Sequence, residues 1–138
     1  MKKLLLLLTL GLFLSCSNVQ NPDYERNLET AKQWFDNFGN EDLDFTMSFF
    51  ADDIEYQSAF YAGPLMNKEE TREYFKGWHD AMEDIAFEAQ NYLPGVDPET
   101  GLLNGSVRTY GNWSGTKSDS GKTFKGLWYH YLTFDENG

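Results

Sequence analysis

Cysteine is almost absent from this chain. Cys16 is the only one, so no disulfide can close within the chain and no cysteine-based zinc site can be assembled. Histidine is nearly as scarce: His79 and His130 lie far apart and give no metal-ligand spacing. No glycine-rich phosphate loop is present, and no repeat or low-complexity tract follows the N-terminal segment. The sequence therefore leads us to expect neither metal nor cofactor. Positive charge is also short, with 11 Lys and Arg against 22 Asp and Glu. That balance disfavours nucleic acid and anionic membrane surfaces as electrostatic partners.

Long apolar runs are missing too, except at the start. Lys2 and Lys3 precede an apolar run from Leu4 to Leu8 that continues through Leu14. The run falls short of the roughly 20 residues that a membrane span needs, and reads as a secretory signal. It ends Phe13-Leu14-Ser15-Cys16, followed by polar residues from Ser17 to Asn21. This resembles a bacterial lipoprotein signal, in which a small residue precedes the cysteine that is lipidated, although Phe13 and Leu14 depart from the strict pattern. The reading is a signal peptide over 1–15, lipidation at Cys16 and a tether over 16–21. It implies an exported bacterial lipoprotein held at the membrane, periplasmic or on the cell surface. An ordinary signal peptide cut nearby is the alternative. Without residues 1–15 the chain has 123 residues, nine of them basic against 22 acidic, a formal charge of −13. That is one domain, over 22–138.

Two helices, a strand and a third helix come first. Asn21-Pro22-Asp23 reads as a cap, a proline at the first helical position and an acid in the first turn. Tyr24, Leu28, Ala31, Trp34 or Phe35, and Phe38 then recur at helical spacing, and Gly39 stops the helix. A second helix spans about Glu41 to Phe50, burying Leu43, Met47 and Phe50. "IEYQSAF" alternates as a strand with Ile54, Tyr56 and Ser58 on one face, and "YAGPLM" reads as a loop. Asn67 with Glu70 forms a capping box for a third helix, whose buried stripe is Thr71, Tyr74, Phe75, Trp78, Ala81 and Met82.

The remainder is a meander. "IAFEAQNYL", Ser106 to Thr116 and Thr123 to Phe134 alternate as strands, separated by turns at "DPETG" and "SDSGK". Helices segregated to one face of an antiparallel sheet define an α+β fold.

"FGNEDLDFTMSFFADDI", Phe38 to Ile54, is followed by an aromatic strand residue, a Gly-Pro loop and a capped helix. This stretch resembles the opening of the nuclear transport factor 2-like (NTF2-like), or SnoaL-like, superfamily, and the closing "YHYLTFDENG" is similar to its penultimate strand and turn. The resemblance covers about Tyr24 to Gly138. It implies a cone-shaped fold with a curved antiparallel sheet packed on the N-terminal helices, and it leaves activity open, since this scaffold carries enzymes and plain binding modules. In the family one more strand follows that turn. Here the sequence ends at Gly138, and the expectation is a C-terminally truncated domain lacking its last strand, with a natural short form as the alternative.

Period-two alternation places Trp128, His130, Leu132 and Phe134 on one face of the last strand. In the family this face lines a pocket, which implies Trp34, Phe38, Tyr56, Ser58, Trp78, Met82 and Trp113 as neighbours of Trp128 and His130. Two roles for His130 remain open: general acid or base, with Tyr56 as its catalytic partner polarising a carbonyl, or a core histidine bonded to Tyr56 or a backbone carbonyl. The best-known isomerase of the fold uses a tyrosine and two aspartates where this chain has Trp34, Ser58 and His130. The resemblance therefore does not carry a ketosteroid isomerase mechanism. His79, off the buried stripe, reads as solvated, and Asp53 as a turn residue at the pocket rim.

Three functions follow as expectations: a lipid-anchored domain binding a small apolar or aromatic molecule, a lyase or isomerase using His130, or an interaction subunit whose cone is filled by its own side chains. Tyr110, Tyr129 and Tyr131 fall on the opposite sheet face, where a homodimer interface is expected.

Overall fold

The computed structural model describes residues 21–60 and 62–138. The expected signal segment and Cys16 lie outside them. Helix α1 (Tyr24–Phe38) begins after a turn in which the Asn21 carboxamide oxygen accepts from the Asp23 N–H at 2.9 Å. Asn21 therefore shapes the turn ahead of the helix and is not its cap: Pro22 and Asp23 form the turn, Asp23 is the N-cap residue without a side-chain cap bond, and the helix starts at Tyr24. Tyr24, Ala31, Trp34, Phe35 and Phe38 are buried along one side. Gly39 ends the helix against the sheet, where a Cβ would sit 1.9 Å from the Ile85 carbonyl oxygen, so only glycine permits this approach.

Helix α2 (Leu43–Ser48) is shorter than its apolar spacing suggested, capped by Asp42, whose carboxylate accepts from the Phe45 N–H at 2.9 Å. The first strand is also shorter. Only Tyr56–Gln57 form β1, and they pair antiparallel with β2 (Leu65–Met66), which lies inside the stretch expected to be loop. The inward and outward faces nevertheless alternate as the pattern requires, with Ser58 buried and Glu55 and Gln57 exposed.

Helix α3 (Lys68–Ala81) carries the expected capping box: Asn67 accepts from the Glu70 N–H, and the Glu70 carboxylate accepts from the Asn67 N–H, both at 3.0 Å. Its backbone passes without a loop into β3 (Met82–Val96), so Met82 belongs to the strand. β3 pairs with β4 (Leu103–Lys117), and β4 with β5 (Thr123–Leu132), all antiparallel with β4 central. Three register shifts interrupt the β3–β4 ladder, one of them around Asp84, whose φ of 54° is left-handed. Such bulges bend and twist a sheet. The shift between Ala89 and Asn91 also reverses the phase of β3, turning Tyr92 inward and leaving Leu93 exposed.

The core lies between α1, α3 and the concave sheet face, centred on Phe35, Phe38, Phe75, Met82 and Ile85. Two of the polar groups that enter it are paired with backbone carbonyls. Asn27 donates to the Gly105 carbonyl at 2.9 Å, and Thr109 donates to the Asn91 carbonyl at 2.7 Å. No helix among the described residues is long and apolar enough to cross a membrane.

Candidate ligand-binding site

The helices and sheet enclose a cavity of about 780 Å³. Trp34 and Phe38 reach it from α1, Trp78 from α3, and Tyr56 and Ser58 from the β1 segment. Trp113 comes from β4, and Trp128 and His130 from β5. Eight of the nine residues expected in the pocket therefore line it. Met82 does not: it is buried in the core cluster at the start of β3. Phe35, Phe50, Tyr74 and Phe75 also line the wall. Phe35 sits between Ala31 and Phe38 at helical spacing, so the signal for it was present but shared with Trp34 beside it.

His130 is enclosed by rings. Phe35 and Phe87 lie edge-on to it at centroid distances of 5.0 and 5.4 Å, and Phe35 stacks on Phe87 at 4.2 Å. Neither Tyr56 nor a backbone carbonyl bonds its imidazole among the described residues. Instead the Trp113 indole N–H donates to His130 Nε2 at 2.9 Å. Burial pulls the imidazole down to about 4, so it is neutral at pH 7. Burial, and secondarily the nearby Tyr74, raises the Tyr56 phenol, which stays protonated.

The Trp113–His130 contact depends on what is absent between them. In the β4–β5 register Trp113 lies opposite Gly126 and His130 opposite Thr109, so Gly111 separates the two on the concave face. A Cβ on Gly111 would lie 2.2 Å from Phe87 Cζ. Without it, the Phe87 ring settles over β4, 4.9 Å from Trp113. Sequence pattern could place these residues on one face, but the hydrogen bond needs the register.

Asp53 is exposed. His79 corrects the expectation of a solvated ring: it packs 4.8 Å from Phe38, with Nε2 buried and unpartnered. No group of His, Cys, Asp or Glu among the described residues is arranged to hold a metal ion. The acids that line the cavity, Glu55 and Asp135, are exposed at its rim.

A family model described as a SnoaL-like domain matches residues 31–138. No protein of curated function matches the chain. Solved structures that are similar include a hypothetical protein with a ketosteroid isomerase-like fold from Catenulispora acidiphila, in complex with trimethylamine, at 14% identity, covering 78% of this chain and 77% of that one with a TM-score of 0.63. An NTF2-like protein of unknown function from an Exiguobacterium species shares 17% identity over 79% of this chain and 89% of its own, TM-score 0.63. A putative SnoaL-like polyketide cyclase from Shewanella denitrificans shares 13% over 85% and 83%, TM-score 0.63. At these identities the likeness establishes the cone-shaped α+β fold.

Proposed function

Since the chain belongs to the SnoaL-like domain family, we propose that it binds a small, largely apolar molecule in the aromatic cavity. The observation that carries this reading is the cavity itself, about 780 Å³ and walled by Trp34, Trp78, Trp113 and Trp128. Sites for small organic ligands are typically concave, mostly apolar, and roughly 300–1,000 Å³ in volume. A cone filled by its own side chains would leave no such space, which argues against a purely interacting subunit.

An apolar tricycle such as fluorene, titrated into the full chain and followed by tryptophan quenching, should saturate at one molecule per chain. Replacing the buried cavity residue Ser58 by tryptophan should abolish that saturation. Non-saturating uptake, or binding indifferent to Ser58→Trp, would remove the cavity as the site.

The enzyme reading, a lyase or isomerase, has one observation in its favour: His130 and Tyr56 both line the cavity. Neither is ionised at pH 7, however, and His130 Nε2 is already engaged by Trp113. Turnover of a cyclic hydroxy-ketone that disappears in His130→Ala would move the assignment from binding module to enzyme.

A further inference from the structure

Trp113 and His130 meet through atoms whose chemistry leaves one arrangement of protons. An indole N–H can only donate. His130 Nε2, 2.9 Å away, must therefore offer its lone pair. A neutral imidazole has a single N–H, which is then on Nδ1. That nitrogen has no hydrogen-bond partner among the described residues. Nor is it one of the sealed unpartnered atoms, which are Trp34 Nε1, Thr46 Oγ1 and His79 Nε2. His130 itself is among the residues that line the cavity.

We propose that Trp113 holds His130 in the Nδ1–H tautomer, so that the cavity presents a neutral donor and takes its ligand through an uncharged acceptor oxygen such as a carbonyl. The proposal rests on the reading of the cavity as a ligand site. Trp113 acts here as a positioning residue: it sets which imidazole nitrogen faces the ligand. Protonating His130 would place a second N–H against the indole N–H, so this contact and burial both keep the ring neutral. The ligand's charge follows from the walls. An anion would find no cation among the cavity residues and would pass Glu55 and Asp135 at the rim. A cation would meet the Nδ1–H head-on. A carbonyl on an apolar frame satisfies the donor without desolvating a charge.

The test combines a spectrum and a pair of probes. Imidazole nitrogen chemical shifts of the nitrogen-15-labelled full chain should show His130 as the Nδ1–H tautomer. In Trp113→Phe, which keeps a ring but removes the donor, the Nε2–H form should appear. In parallel, 9-fluorenone and fluorene, which share a frame and differ by the carbonyl, are titrated into both proteins. In the wild type, fluorenone should bind more tightly than fluorene by roughly 2- to 10-fold, the contribution of one hydrogen bond. In Trp113→Phe that ratio should fall towards one. A wild-type Nε2–H tautomer overturns the proposal, and this measurement stands even if Trp113→Phe does not fold. An unchanged tautomer and ratio in the variant would overturn the role of Trp113. With the expected tautomer and neither compound bound, the spectrum would support the Trp113–His130 assignment, and the apolar-ligand reading would be what failed.

Discussion

At the scale of single residues, His130 couples the site to stability. Its folded value of about 4 lies below the ordinary 6.5, so between those two pH values the unfolded chain binds a proton that the folded chain does not. Stability from this group is complete above about pH 6.5 and is lost as pH falls towards 4, by about 3 kcal/mol in all. Asp52 and Glu88 are held below the usual carboxylate range by hydrogen bonds from Lys68 and Lys125, so what they contribute is lost at lower pH. Urea denaturation between pH 7 and 4.5 should show stability falling with acid in the wild type and a flatter profile in His130→Gln. Parallel profiles would show that His130 is not the group that titrates. Trp113, the partner of His130, was legible as a pocket residue, whereas its bond to His130 was not: the two are 17 positions apart and meet only through the strand register.

Among the elements, the outer sheet face stands apart because the fold gives only part of it a task. Tyr131 is tied down: Ser106 donates to its hydroxyl at 3.1 Å, and its ring packs over Gly95, where a Cβ would come within 3.0 Å of it. Tyr110 and Tyr129, 41% and 46% exposed, touch each other at 5.0 Å beside Leu127, which is 60% exposed. The proposed homodimer would cover this pair, since adjoining exposed rings mark contact surfaces more often than solitary ones do. Light scattering should give twice the chain mass for the wild type and the single-chain mass for Tyr110→Lys with Tyr129→Lys. A wild-type monomer would reduce the pair to a cross-strand contact within one chain.

For the molecule as a whole, the remaining proposal concerns attachment. If Cys16 carries a lipid, the six residues 16–21 can extend about 20 Å, which holds the domain near the bilayer. A mature charge of −13 gives no electrostatic help at an anionic surface, so attachment would be hydrophobic. Cells making the protein should hold it in the membrane fraction through a high-salt wash, and Cys16→Ser should release it. Release by salt, or membrane retention of Cys16→Ser, would refute the anchor.

Periodicity alone determined much of this protein. The helical spacing from Tyr24 to Phe38, the Asn67–Glu70 capping box and the alternation of β5 are local patterns, and each produced the element it implied. That alternation is also why Trp128 and His130 face inward together, since neighbouring strand side chains must point to opposite sides. Where distant backbone had to intervene, local pattern was insufficient. β2 forms only because Leu65 and Met66 find Gln57 and Tyr56, and Tyr92 faces inward only because a bulge against β4 reverses the phase of β3. Met82 left the wall for the core because α3 passes into β3 without a loop. The tautomer of His130 was decided last, by an indole from the neighbouring strand that reaches it across Gly111. Spacing along a chain sets which face a side chain takes; the register of paired strands sets which atoms it meets there.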